Sequence, residues 1–432
     1  MKLSLGGNLW HHRDFSRLWF SETVSSFGSN FSTYALPVLA YSLLNAGAFG
    51  VGLLTALAIL PYPLLGLFVG VWVDRFRKKR IMIICNAGRM DSLLTVPLTA
   101  FFGLLTLDQL YVVALVNGVF SVFFDISYQA YLPLLIERKD LIEGNQKLQL
   151  SASGATVVGP SAAGGAFQAL TDVVSPKVLG GALTCLADAV GYLAAAIALI
   201  DIRKLEPKKV LGTGGPKPDF FGEMREGIRV VLRNPLLTRI AGCTATSNLG
   251  SYIVGPALLA FAFGDLHYTY FEWGLLGTIG ALGFLVGAIL AKRVMTRLGF
   301  GRGLAVSVSM AGLAVLYPLA MYGYPFVFPA FVAFVIGTSS PIYNISQVSL
   351  RQAITPDRLQ GRMNATMRVI VWGTIPVGAL LGGSLASLPS FGVVDTIVLG
   401  GIVAALAGVW IMLGPVIKLK QQPEPLVEER LP

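Results

Sequence analysis

Twelve apolar stretches, each long enough to cross a bilayer, leave this chain few ways to fold. A helix needs about 20 apolar residues to span the hydrocarbon core. Such stretches run over 19–44, 51–73, 81–105, 110–132, 146–170 and 178–200 in the first half. In the second half they run over 236–263, 271–291, 303–321, 325–347, 363–388 and 393–413. Of the 432 residues 54% are hydrophobic and only 13% charged, and the mean hydropathy is +0.68. A soluble domain could not solvate so much apolar surface. The expected fold class is an all-α integral membrane protein of twelve transmembrane helices in two pseudo-symmetric six-helix bundles.

The charges sort the connections into two kinds. The link Gly70-Val-Trp-Val-Asp74-Arg75-Phe-Arg77-Lys78-Lys79-Arg80 packs six charges between two apolar runs. Arg138, Lys139, Lys292, Arg293, Arg297, Arg302, Arg351, Arg358 and Arg362 fall in the other loops of the same parity. The loops of opposite parity hold one of the 33 basic residues, Lys177. Basic residues beside short loops mark the cytoplasmic side. The expectation is a multi-pass protein of the cell membrane with both termini cytoplasmic. The net charge of +10 is thus spread over short loops, with no basic face and no nucleic-acid reader motif. Membrane lipids are an expected partner and nucleic acid is not.

Residues 201–235 break the rhythm. Gly212, Gly214, Gly215, Pro216 and Pro218 mark a linker. After it Phe220, Phe221, Met224, Ile228, Val231 and Leu232 share one helical face, opposite Glu223, Arg225, Glu226, Arg229 and Arg233. That pattern predicts a basic amphipathic helix on the inner leaflet. The expected layout is a bundle over 1–200, a linker with its helix over 201–235, a second bundle over 236–414, and a disordered tail over 415–432.

The halves resemble each other. Gln129, Leu132 and Leu141 match Gln347, Leu350 and Leu359; Arg17, Ser25 and Gly28 match Arg239, Ser247 and Gly250. Internal symmetry between six-span halves marks a transporter, with a binding site near the midplane. Cys85, Cys185 and Cys243 lie in separate apolar runs, so neither a disulfide framework nor a metal site is expected. There is no HExxH and no GxSxG, and no enzyme is expected.

The chain resembles the major facilitator superfamily. In the loop between spans two and three that family carries a glycine, an Asp-Arg pair, a second glycine and two basic residues. Gly70, Asp74, Arg75, Lys78 and Lys79 match, and Arg77 stands where the second glycine is usual. Gly154, Gly159-Pro160 and Gly164-Gly165 resemble the family's antiporter motif. Gln352-Ala-Ile-Thr-Pro356-Asp357-Arg358, continuing through Arg362 to Pro376, resembles the macrolide-efflux and enterobactin-exporter branch, as does Phe15-Ser-Arg17-Leu18-Trp19. The resemblance implies a proton-driven exporter of small amphipathic molecules working by alternating access as a monomer. The proton gradient would be the energy source and no cofactor is needed. A lipid or lysophospholipid translocator of the same fold is the alternative.

The resemblance also implies a latch in which Asp74 meets the start of span eleven, with Asp125 near the inner end of span four as a second acid. The other reading is a loop that only sets orientation. Five ionisable groups fall inside spans: Glu22, Arg89, Asp91, Asp188 and Arg368. Such groups are costly in a bilayer and are functional candidates. Arg89 and Asp188 are expected to form a structural ion pair, which leaves Asp91 to titrate. Glu22 is read either as a proton carrier or as a polar group bonded to a neighbouring helix. Arg368 is expected to hold an anionic substrate or to pair with an acid.

Overall fold

The computed structural model describes residues 8–73, 75–204, 206 and 220–423. The first seven residues, Asp74, Leu205 and the stretches 207–219 and 424–432 lie outside the described residues. Among the described residues the fold is helical, without strands, and its helices make twelve passes.

The passes of the first half are α1 (Arg13–Val38), the pair α2 (Gly47–Ile59) and α3 (Pro61–Val73), α4 (Lys78–Phe101), α5 (Leu107–Leu135), α6 (Leu141–Val173), and the pair α7 (Lys177–Leu183) and α8 (Cys185–Ile200). After α9 (Phe220–Arg233) come α10 (Pro235–Ala260), α11 (Tyr270–Leu298), α12 (Phe300–Ser309), α13 (Val327–Ala353), α14 (Asp357–Ala386) and α15 (Gly392–Met412). The ninth pass is completed by a 3-10 stretch, Met310–Tyr322. The second pass breaks before Pro61, whose nitrogen carries no hydrogen to continue the ladder.

Among the described residues ten helical stretches are long and apolar enough to cross a membrane. The other two passes, α1 and α6, are long enough but more polar, and they pack on each other. Gly159 of α6 allows that approach, because a Cβ there would lie 2.5 Å from Asn30 Cβ. Asn30 spends an amide hydrogen on Ser26 O at 2.8 Å, within its own helix. A helix shielded by its neighbours can carry such groups where a lipid-facing one cannot.

Two compact units form, and they are not simple halves of the chain. One holds 1–45, 60–215 and 269–278; the other holds 46–59, 216–268 and 279–432. The first stretch of pass two therefore joins the second unit. There α2 lies on α14 with backbones almost touching: a Cβ at Gly52 would sit 2.3 Å from Ala379 O, and Phe49 N donates to Ser387 Oγ at 3.0 Å. The start of α11 joins the first unit. A Cβ at Gly274 would sit 2.3 Å from Pro160 O, and Tyr270 N donates to Gln168 Oε1 at 3.1 Å.

The expectation of disorder from 415 onward is corrected in part. Residues 415–418 form a 3-10 turn with Val416 fully buried, and Gly301 N donates to Leu419 O at 2.8 Å. The open amides at the start of α12 hold that segment. The apolar face expected of α9 also divides. Val231 is fully buried against Met363 of α14 and Leu237 of α10, whereas Ile228 and Leu232 are exposed.

Candidate functional site

Five charged or phenolic side chains meet at one level of the first unit. At a rise of 1.5 Å per residue, Glu22, Tyr62, Arg89, Asp125 and Asp188 lie about 14–18 Å from the ends of their passes nearest the basic loops. They come from α1, α3, α4, α5 and α8. Each of the five helices contributes one of them, and their packing makes a layer.

Arg89 is the centre of that layer. It is 4% exposed. Its guanidinium lies between two aromatic faces, 4.2 Å from the Phe124 ring centroid and 4.3 Å from that of Tyr192. Its Nη2 donates to Asn86 Oδ1 at 2.5 Å, while Nε has no hydrogen-bond partner. Stacking on two ring faces stabilises a desolvated cation. The expected ion pair with Asp188 is not formed among the described residues. Tyr192, one turn beyond Asp188 on α8, takes the contact with the guanidinium.

Asp188 is 1% exposed and its Oδ1 has no hydrogen-bond partner. It is pressed against α1 at Gly28, where a Cβ would lie 2.8 Å from Asp188 Oδ1 and 2.9 Å from its Cα. Ser29 and Tyr192 join the same two helices through their hydroxyls at 2.9 Å. Glu22 is half-buried, and its Oε1, shielded from solvent, lacks a partner. The charges of Arg89 and Asp125 both act on it. Asp125 corrects a second expectation: it belongs to this mid-span layer rather than to the basic loop. It accepts from Tyr62 Oη at 2.8 Å, about 15 Å from the end of α5. Asp91 is exposed on the other face of α4 from Arg89. Arg368 belongs to the second unit, is exposed, and lies 5.8 Å from the Trp372 ring centroid, so no acid pairs with it among the described residues.

The loop motif is only partly visible. Asp74 lies outside the described residues, so the latch contact expected of it has no geometry here. Arg75 is exposed and Lys78 buried. Arg77 has φ −71° and ψ 118°, extended backbone that needs no glycine, which accounts for the departure from the family pattern. A Cβ on Gly70 would meet nothing within 4 Å. The start of α4 is capped by a residue the sequence reading missed: Glu206 accepts from the backbone amides of Lys78 at 2.9 Å and Lys79 at 2.7 Å. A carboxylate at a helix N-terminus meets the positive end of the dipole. Asp14, also missed, accepts from the amides of Arg203 at 3.1 Å and Lys204 at 2.9 Å. The segment after α8 is thus strapped across the ends of α1 and α4.

In α6 the antiporter-like residues separate by role. Gly159 meets Asn30, and a Cβ on Gly164 would lie 2.6 Å from Tyr270 O. Gly165 has ordinary clearance and Gly154 faces open space. Around Pro160, the Thr278 hydroxyl of α11 donates to Val157 O at 2.8 Å and accepts from Ser161 N at 3.2 Å. A side chain from the eighth pass therefore bonds both backbone groups beside the proline.

All three cysteines are free and buried. Among the described residues no group of three or more His, Cys, Asp or Glu is placed to hold a metal.

Comparison with known proteins follows the same lines. A family of transmembrane secretion effectors matches residues 9–429. The chain is 25% identical over 385 residues to the multidrug efflux pump Tap of Mycolicibacterium fortuitum, covering 85% of this chain and 88% of Tap. It is also 25% identical over 390 residues to macrolide efflux protein A of Streptococcus pyogenes, covering 86% and 89%. A solved bacterial homologue of the iron transporter ferroportin, in an inward-facing state, shares the fold with a TM-score of 0.73 at 14% identity, covering 93% of this chain and 98% of that one.

Proposed function

The chain belongs to the transmembrane secretion effector family of major facilitator transporters, and on that premise we propose that it exports small amphipathic compounds in exchange for protons. The layer around Arg89 carries this reading. Two carboxylates, on Glu22 and Asp188, feel the charge of one guanidinium, and Asp125 adds a negative charge beside Glu22. With Glu22 and Asp188 both ionised, Arg89 compensates only one of them, where burying an unpaired charge costs several kcal/mol. A proton or a cationic substrate removes that cost. A group that must exchange one for the other couples the two movements. Each charge moved across 100 mV is worth about 2.3 kcal/mol, so one or two protons suffice for useful accumulation.

The names of the efflux relatives support the outward direction. The substrate is a small amphipathic molecule, and the energy comes from the proton gradient across the cell membrane. Both termini face the cytoplasm, in keeping with the one-sided basic loops, and the protein works as a monomer. Asp74, with Gly70, Arg75 and Lys78, keeps the latch role that the family motif implies.

Proteoliposomes with an imposed pH gradient test the proposal, using ethidium and erythromycin as trial substrates. The expected result is gradient-driven transport that an uncoupler abolishes. With Glu22→Gln, substrate should still move but without dependence on the gradient. Transport by the unaltered protein that ignores the uncoupler overturns the coupling. Movement of a labelled lysophospholipid with neither trial substrate replaces export by lipid translocation. Asp74→Asn should leave insertion intact and slow transport by about tenfold or more, roughly 1.4 kcal/mol in barrier; an unchanged rate removes the latch.

A further inference from the structure

The amphipathic helix α9, in the second unit, carries a second candidate site. Its attachment explains why the site is open. Gly227 lies against α14, where a Cβ would sit 2.4 Å from Thr366 Oγ1 and 2.8 Å from Arg362 O. Val231 is fully buried on the same side. Glu226 forms an ion pair with Arg362, which fastens α9 to the start of α14.

That attachment leaves another side free. At 100° per residue, Arg225, Arg229 and Arg233 fall within an arc of about 80°, spaced about 6 Å along the axis. All three are exposed. They border a cleft of about 440 Å³, together with Gly222, Glu226 and Val230. The acid of that lining, Glu226, is already engaged by Arg362. Among the described residues no carboxylate pairs with any of the three arginines. Three guanidiniums with no counter-ion among the described residues, around a cleft of small-ligand size, suit a phosphate group, which arginine grips through two parallel hydrogen bonds.

The flank of the stripe indicates where that phosphate comes from. Ile228 is 39% exposed and Leu232 61% exposed. On the helix they fall beside Arg225, on the side away from Glu226. A dissolved phosphate ion makes no use of an apolar edge. A phospholipid does, because its headgroup and its acyl chains need adjacent surfaces of these two kinds. The helix also leads directly into α10, at the membrane face that carries the basic loops. We propose that the cleft beside α9 binds the phosphate of an anionic phospholipid headgroup, with Arg225, Arg229 and Arg233 as its ligands and Ile228 and Leu232 against the acyl chains.

The test uses the purified full-length protein and native mass spectrometry of retained lipid. Phosphatidylglycerol is compared with phosphatidylcholine, and inorganic phosphate serves as a competitor. Phosphatidylglycerol should be retained in preference. R225Q/R229Q/R233Q should lower its affinity by at least about tenfold, in keeping with the attraction of each basic side chain for an anionic surface. The matching triple lysine variant should keep most of it. I228S/L232S should weaken lipid retention several-fold. R293Q/R297Q, which removes two exposed arginines of α11, should leave it unchanged. R229Q alone provides a milder change should the triple variant lose its thermal transition. The site is overturned if the arginine variants retain phosphatidylglycerol as the unaltered protein does, or if R293Q/R297Q loses as much, which means diffuse attraction. Displacement of the lipid by millimolar inorganic phosphate, with I228S/L232S silent, overturns the lipid as the source and assigns the cleft to a free phosphate.

Discussion

The same glycine serves opposite ends in the two units. Gly28 and Gly250 occupy matching places in the internal repeat, each on the first helix of its half. Each lets that helix cross the last helix of the half at close range. At Gly28 the neighbour is Asp188, a buried carboxylate. At Gly250 the neighbours are Gly400 and Ala404, with a Cβ falling 2.4 Å from Ala404 N. The surroundings differ in the same sense. The first unit holds Glu22, Arg89, Asp125 and Asp188 at mid-depth. The second holds a neutral bond there, Thr244 to Tyr343 at 2.7 Å, and keeps its mid-span cation, Arg368, exposed. Repetition preserved the way helices cross and not the charge they carry. Under the function proposed above, energy coupling would fall to the first unit.

The sharpest way to break this contrast is Arg89→Met. It leaves the buried Asp188 and the half-buried Glu22 without that cation and should cost about 3–5 kcal/mol, read as a large fall in the midpoint of thermal unfolding in detergent. Tyr343→Phe, in the neutral counterpart, should cost only about 1 kcal/mol. Equal losses from the two would show that the charged layer is not what sets the units apart.

Next in size are the glycines. Gly250→Ala forces a methyl group into backbone atoms and should cost about 1–3 kcal/mol. Gly28→Ala should cost less, because one of the atoms it meets is a side-chain oxygen that can turn aside. The reverse order in thermal melts would mean that Asp188 is held more rigidly than the backbone of α15. Smallest is Thr278→Val. It removes one hydroxyl that bonds both backbone groups beside Pro160, and should cost about 1 kcal/mol while slowing transport more than it lowers stability. A melt and a transport assay on the same preparation separate these effects.

Much of the fold is legible in order of residues. The count of passes and the one-sided placement of basic loops depend on composition within windows of about 20 residues, and hydrophobicity acts locally in just that way. The site was legible residue by residue but not as a site. Glu22, Arg89 and Asp188 stand out as charges inside apolar runs. Tyr62 and Tyr192 do not, since a tyrosine in a span is most often part of the packing. Asp14 and Glu206 lie in loops, where a carboxylate signals little until a helix N-terminus is known to face it.

Sequence alone determined that this chain is a twelve-pass helical membrane protein with its charge gathered at one end of the spans. Tertiary structure decided which buried charges meet. It set Arg89 between two rings instead of beside Asp188, placed Asp125 with Tyr62, and gave part of the second pass to the second unit. The reason is geometric: hydropathy determines how deep a residue lies, but its partner depends on how each helix is rotated and which helix stands next to it. Those two quantities arise only when every helix is packed at once.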